Sequence, residues 1–352
     1  MKLLMFLKYC AKGASTRYRS LNYLSDLEKI GVEYEINNLF CDEYLIARYS
    51  NKKIPTLYYI RRFYFRLRAI IRVLRRYKYC YIEYELFPFF PPVFEFLFHL
   101  RGIRIIYDYD DATFLRYESG FKKLFLSRKF DSLCKASSLV LCGNPNLERA
   151  ARTRGARNTV VLPTAVDVER YTNLDFKCQG RQLRVCWIGS PSTVHYLVNI
   201  TPVLNTLIEM NVIRLMVIGV ASRQAQGLMA NQFVEWSSES EIDCLANNEV
   251  GIMPLENDSW SRGKCGFKIL QYMASGLAVT ASPVGVNVQM LENSGCGYLA
   301  SSAFEYRWLL LRLARNRDLL RQMGERGRRY VNEKYSRKIN AKLFCASIKM
   351  VD

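Results

Sequence analysis

This sequence predicts a two-domain α/β protein built on parallel sheets, and three observations carry that prediction. Short apolar runs alternate with amphipathic stretches along the whole chain, at the spacing of strand–helix–strand units. A polar, aperiodic stretch from Thr172 to Arg181 interrupts the alternation and divides the chain into two halves. In the second half, Glu249 to Gly285 reads as one complete unit: an apolar run Val250–Leu255, a helical pattern Lys264–Ser275 closed by Gly276, and a second apolar run Leu277–Ala281. Strand, helix and strand within about 30 residues imply parallel pairing. The expected domains cover 1–171 and 183–334, joined by a linker over 172–182.

Taken in order, Lys2–Lys8 is the first strand, followed by a loop carrying Gly13, Arg17 and Arg19 and a helix to about Lys29. Open α/β sheets bind ligands at the C-terminal ends of their strands. The two arginines therefore suit an anion there, or simply solvate a plain strand–helix turn. Gly31–Asn37 is the second strand. Tyr58–Lys78 has a helical period, with Tyr59, Phe63, Leu67, Ile70 and Leu74 as its apolar stripe and Arg61, Arg68, Arg72, Arg75 and Arg76 opposite. A basic face with Phe65 and Tyr58 among its cations suits an anionic lipid surface, and also an ordinary solvated helix. Tyr79–Tyr84 is a strand ending beside Glu85. Leu86–Leu100 is too short to span a bilayer and packs as a helix begun by Pro91–Pro92, or borders a lipid-chain groove.

Ile103–Tyr107 delivers Asp108, Asp110 and Asp111. Two carboxylates one residue apart suit a divalent cation in principle, or can orient hydroxyl groups. Ser138–Cys142 and Thr159–Leu162 complete the first set of strands. In the second half Leu183–Ile188 leads into Gly189 and Ser190, a glycine and hydroxyl turn that makes an anion nest. Ile213–Gly219 and Phe233–Trp236 precede the complete unit. There Lys264, Lys268 and Gln271 fall at i, i+4 and i+7, on one face near a helix N-terminus whose dipole favours an anion. Arg262 lies in the loop before it.

The net charge of +19 is uneven: residues 1–165 hold 29 Lys/Arg against 15 Asp/Glu, whereas the remainder holds 22 against 17. An excess of this kind points to nucleic acid or an anionic membrane. No nucleic-acid module accompanies it, so nucleic acid is set aside as a partner. The start, MKLLMFLKYCAKG, reads as a strand and not as a signal peptide. The 11 cysteines are scattered with no C-x-x-C pair, which implies reduced thiols in a cytoplasmic setting, peripheral to the inner membrane face at most. Two histidines leave little room for a metal site.

The pattern G-K-x-G-x-K-x-L-Q-Y-M-A-x-G-x-x-V-x-A-S-P-V-G at 263–285 resembles the donor-binding segment of glycosyltransferase family 4, retaining enzymes of the GT-B fold. G-A-S-x-R-x-R from Gly13, Y-D-Y-D-D-A from Tyr107, the passage Pro163–Tyr171 and Glu292–Ala300 are similar to the same family. The family's paired glutamates fall here on Gly263 and Gln271, and the arginine and lysine that follow the Leu183–Ile188 strand in many members are missing.

The resemblance implies two Rossmann-like domains with parallel sheets facing a cleft, and a helix over 335–352 crossing back to the first domain. It implies a nucleotide diphosphate sugar bound by Gly189, Ser190, Arg262, Lys264, Lys268 and Gln271. Gly13, Arg17, Arg19, Asp108, Asp110 and Asp111 would line the cleft on the donor or acceptor side. It implies transfer to a saccharide or lipid-linked hydroxyl in cell-surface polysaccharide or glycolipid synthesis, with no metal or cofactor and no base on the protein assigned. The alternatives are a catalytically weakened GT-B protein that partners another transferase, and a membrane-surface binding protein.

Overall fold

The computed structural model describes residues 1–50, 52–171 and 180–352. The chain forms two compact units. The first comprises Met1–Thr164, Gly263–Cys265 and Lys338–Asp352; the second comprises Ala165–Arg262 and Gly266–Arg337.

The first unit holds a six-stranded sheet in the order β2-β1-β3-β4-β5-β6. Its strands are β1 (Lys2–Leu7), β2 (Glu33–Asn38), β3 (Tyr79–Glu83), β4 (Arg104–Tyr109), β5 (Leu139–Cys142) and β6 (Thr159–Val161). Every pairing is parallel. Leu3 to Leu7 are all fully buried, because helices cover both faces, and for that reason the strand reads as an unbroken apolar run.

The long helix Thr56–Arg76 differs from its expected stripe. Arg66, Ala69, Ile70 and Val73 face the core, while Phe63 and Leu67 are exposed. The Arg66 stem accounts for the rotation. Its guanidinium lies 5.2 Å from the Phe6 ring centre, and its Nη2 donates to Leu7 O at 2.6 Å, so a long amphipathic side chain takes a core position. The helix Val93–Leu100 buries only Glu95 and Phe98; Phe89, Phe90, Val93, Phe96 and Leu100 are exposed.

The second unit holds another parallel six-stranded sheet, in the order β12-β11-β10-β7-β8-β9. Its strands are β7 (Leu183–Ile188), β8 (Ile213–Ile218), β9 (Gln232–Val234), β10 (Val250–Met253), β11 (Ala278–Ala281) and β12 (Gly297–Leu299). Val166 and Tyr171 belong to its core, with Val166 N donating to Tyr335 O at 3.0 Å. The change of unit therefore falls at Thr164–Ala165. Of the expected linker 172–182, residues 172–179 lie outside the described residues. Among the described residues, no helix is long and apolar enough to cross a membrane.

Both sheets reverse their winding once. In the first, β2 and β3 lie on opposite sides of β1; in the second, β8 and β10 lie on opposite sides of β7. The loops after β1 and β7 thus emerge at the switch points where open α/β sheets hold ligands.

Candidate functional site

In the second unit the switch-point loop begins at Gly189, whose N–H donates to Ile218 O at 3.0 Å. A Cβ here would stand 2.2 Å from Trp187 Cη2 and 2.9 Å from Lys268 Nζ. Only glycine lets the loop pass so close to both. Ser190 N donates to Thr193 Oγ1 at 3.1 Å, and the Ser190 and Ser192 hydroxyls are 2.8 Å apart. Lys268 extends to this loop: Nζ lies 4.4 Å from the Trp187 ring centre and donates to Thr193 Oγ1 at 3.4 Å. The indole face supports the ammonium without neutralising it, so a fixed positive charge stands beside a run of hydroxyls and backbone N–H groups.

The helix that carries Lys268 spans Phe267–Ala274, later than expected, because Gly266 takes a left-handed conformation (φ 67°) at its N-cap. Lys264 accordingly does not share a helix face with Lys268 and Gln271. It belongs to the first unit, as part of Gly263–Cys265. Gln271 is buried, at 4 % exposure. Tyr272, on the same helix, accepts from Ile188 N and donates to Ile252 O, both at 3.1 Å, and so fixes the helix against β7 and β10. Arg262 is exposed, its Nε donating to Asn257 Oδ1 at 2.8 Å. His195 packs its ring on Tyr196, centres 4.0 Å apart.

In the first unit Gly13 starts the helix Ala14–Arg19, where a Cβ would stand 2.5 Å from Tyr9 Cβ. Arg17 is partly exposed, with Nη1 donating to Ala11 O at 3.2 Å. Arg19 and Asp108, expected to meet a ligand, instead meet each other. Arg19 Nε donates to both Asp108 oxygens at 3.1 Å, and Nη1 donates to Leu162 O at 2.7 Å. The two are 1 % and 0 % exposed. Tyr81 OH donates to the same carboxylate, so Asp108 has spent its acceptors inside the protein.

Asp110 accepts from Tyr84 OH, and its backbone carbonyl accepts from Cys265 Sγ at 2.9 Å. Burial pushes Asp111 up to about 6, an effect opposed by Lys264 and reinforced by the like charge of Asp110. Asn144 Nδ2 donates to Gly263 O at 2.8 Å, fixing the backbone just before Lys264. Among the described residues, no group of three or more His, Cys, Asp and Glu side chains is placed to hold a metal ion.

Sequence reasoning missed two groups here. Trp187, two residues before Gly189 in an apolar strand, looked like core alone; its place beside the switch-point turn was the available signal. Glu83 and Thr16 were also missed: Thr16 Oγ1 donates to Glu83 at 2.8 Å and Lys8 N donates to it at 3.1 Å. Burial pushes Glu83 up to about 8.

No protein-family model matches the chain, and no curated protein matches it by sequence. Solved structures do match it over its full length. A sucrose-phosphate synthase from Thermosynechococcus elongatus superposes with a TM-score of 0.70 at 12 % identity, covering 100 % of this chain and 99 % of that one. Anabaena HepE, solved in complex with UDP and glucose, gives 0.62 at 12 % identity over 99 % of both chains. WaaG, described as a glycosyltransferase involved in lipopolysaccharide biosynthesis, gives 0.66 at 12 % identity over 97 % of this chain and 99 % of that one. At such identities the likeness speaks for the fold. Two six-stranded parallel sheets with flanking helices, matched along the whole chain, give this protein the GT-B fold.

Proposed function

We propose that the chain is a retaining glycosyltransferase of the family 4 type. It moves a sugar from a nucleotide diphosphate sugar to a saccharide or lipid-linked hydroxyl, in cell-surface polysaccharide or glycolipid synthesis. The observation that carries the reading is Lys268, a cation set on Trp187 beside Gly189 and Ser190 at the switch point of the second sheet. In glycosyl transfer the sugar C1–O bond breaks and negative charge gathers on the departing diphosphate; a fixed cation with N–H and hydroxyl donors stabilises that charge most. Arg262 adds a second cation on the same unit. The complex of HepE with UDP and glucose and the part WaaG takes in lipopolysaccharide biosynthesis favour this donor and product class. Gly13, Arg17, Asp110 and Asp111 are proposed for the acceptor, and no metal is invoked.

Lys268→Ala is expected to weaken UDP or GDP binding by roughly 1.5–3 kcal/mol, the range for a lost charge-assisted contact. Calorimetric titration of parent and variant, with donor turnover followed in EDTA, checks both the site and the metal-free reading. Equal affinity in the two proteins would remove Lys268 from the site. Gly263, with no side chain where the family places a glutamate, favours a weakened transferase as the second reading. Nucleotide-sugar hydrolysis without acceptor separates the two, since only an active enzyme turns the donor over.

Peripheral attachment to anionic membrane through the first unit is part of the proposal. Leu57, Ile60, Phe90, Val93, Phe96, Phe121, Leu124 and Phe125 are exposed on the first unit, as are Arg61, Arg75 and Arg76. Within this set Phe121 and Phe125 contact each other with ring centres 5.6 Å apart, and Phe90 contacts Phe87 at 6.2 Å. A cation near an anionic leaflet is worth about 1 kcal/mol. Co-sedimentation is expected to favour anionic over neutral vesicles and to fall on Phe121→Ser/Phe125→Ser substitution. Equal pelleting on both vesicle types would end the membrane reading.

A further inference from the structure

The helix Thr56–Arg76 packs on the core through Arg66, Ala69, Ile70 and Val73, and it runs beside β2, an edge strand with no fully buried residue. An open groove of about 800 Å³ results. Its floor is apolar, from Ile36, Phe65 and Ile71, which are 37 %, 37 % and 41 % exposed. Its wall is cationic, from Arg62, Arg68 and Arg72.

The three arginines are held differently. Arg62 caps the end of β2, with Nε donating to Leu39 O at 2.9 Å and Nη2 donating to Asn38 O. Arg72 Nη1 donates to Glu35 Oε2 at 2.8 Å. Arg68 has its guanidinium 5.9 Å from the Tyr64 ring centre and meets no carboxylate within ion-pair distance among the described residues. Three cations against the one carboxylate of Glu35 leave the wall positive. On an α-helix, positions 62, 68 and 72 stand about 9 and 6 Å apart along the axis, with Arg62 turned about 120° around it from Arg68, so the charge is spread over the wall and not gathered at a point.

Asn37 and Asn38 also line the groove, and the Oδ1 of each is buried without a hydrogen-bond donor. A turn about χ2 would bring either oxygen towards a ligand, in Asn38 at the cost of the bond its Nδ2 donates to Cys10 Sγ at 3.2 Å. A bare anion satisfies the arginines and leaves these acceptors unpaired, at the usual cost of an unsatisfied buried polar group. A ligand that carries both negative charge and hydroxyl donors satisfies both.

We propose that this groove binds a hydroxyl-rich anion: a sugar acid or sugar phosphate, free or as a unit of an anionic saccharide chain. Arginine forks grip its carboxylate or phosphate, the asparagine amides accept from its hydroxyls, and its apolar ring face rests on Phe65 and Ile71. Occupation requires no donor nucleotide and no turnover, so it stands or falls separately from glycosyl transfer.

The test is calorimetric titration of the full chain with hyaluronan tetrasaccharide, glucose 6-phosphate, neutral maltotetraose, inorganic phosphate and phosphatidylglycerol vesicles. Binding of hyaluronan tetrasaccharide or glucose 6-phosphate above both maltotetraose and phosphate is expected; which of the two binds distinguishes a chain from a free sugar phosphate. Arg68→Gln/Arg72→Gln is expected to weaken that binding at least tenfold, and Asn37→Ala/Asn38→Ala to weaken it as well. Arg149→Gln/Arg157→Gln, which removes the same charge from exposed positions outside the groove lining, is expected to stay within twofold. All four arginines are exposed, so the variants should fold, and an unchanged thermal midpoint confirms it. The proposal is overturned by equal losses in the two arginine pairs, by phosphate binding as tightly as the sugar anions, or by binding to the vesicles alone.

Discussion

Arg19→Met is expected to destabilise the first unit by about 3–5 kcal/mol, the range for breaking a buried ion pair by removing one partner. The variant strands the Asp108 carboxylate, which is fully buried and keeps only Tyr81 OH as a side-chain donor. It also leaves Leu162 O without the donor at 2.7 Å. Urea unfolding followed by circular dichroism measures the loss. Adding Asp108→Asn should recover part of it, because the stranded charge is then gone. A variant of parental stability that had lost ligand affinity would instead return Arg19 to the binding site. The same logic reassigns Asp108: its pKa is raised by burial and held in check by Arg19, which is the signature of an internal pair.

The second large effect is a fall in stability with rising pH, traced to Glu83. Its folded pKa of about 8 stands above the ordinary value of 4.5 because the carboxyl is buried; the hydrogen bonds from Thr16 and Lys8 oppose the shift without cancelling it. Below pH 4.5 the folded and unfolded chains both carry the proton and the group contributes no difference. Between 4.5 and 8 the unfolded chain releases the proton while the folded chain keeps it, so stability drops as pH climbs. The window of about 3.5 units corresponds to roughly 5 kcal/mol at most. Glu83→Gln, which mimics the protonated acid, is expected to flatten this part of the profile and to gain most over the parent at pH 8 and above. Parallel profiles for the two proteins would show that Glu83 is ionised in the native state.

These two side chains also show where the sequence was legible. The strands of both sheets could be read because parallel strands covered on both faces are continuous apolar runs, and Leu183–Ile188 was placed to the residue. Gly189 and Ser190 were readable as a strand-end turn. Asp108 was not, since D-x-D invites a solvent-facing reading and only the β4 register shows that its carboxylate points inward, where Arg19 meets it across 89 positions of sequence. The helix start at Phe267 was missed because the pattern of Lys264, Lys268 and Gln271 is helical on paper, whereas the left-handed Gly266 breaks it. Arg66 was hidden for a different reason: a charged residue in a basic helix looks like surface, and only a three-dimensional neighbour such as Phe6 reveals a core stem.

The membership of the first unit bears on how the protein is made. Lys338–Asp352 belongs to that unit, where Phe344 stacks on Tyr23 with ring centres 4.9 Å apart and Tyr79 OH donates to Asp352 Oδ1 at 2.6 Å. During synthesis, about 170 residues emerge between Thr164 and this closing segment. At roughly 5–20 residues per second, the nascent sheet waits on the order of 10–35 s with the faces of Tyr23 and Tyr81 uncovered. The second unit, contiguous apart from three residues, completes first although it begins later. Chains halted once Arg337 has left the ribosome, with Lys338–Asp352 still inside it, should therefore carry a finished second half and a first half that still needs shelter from its neighbours.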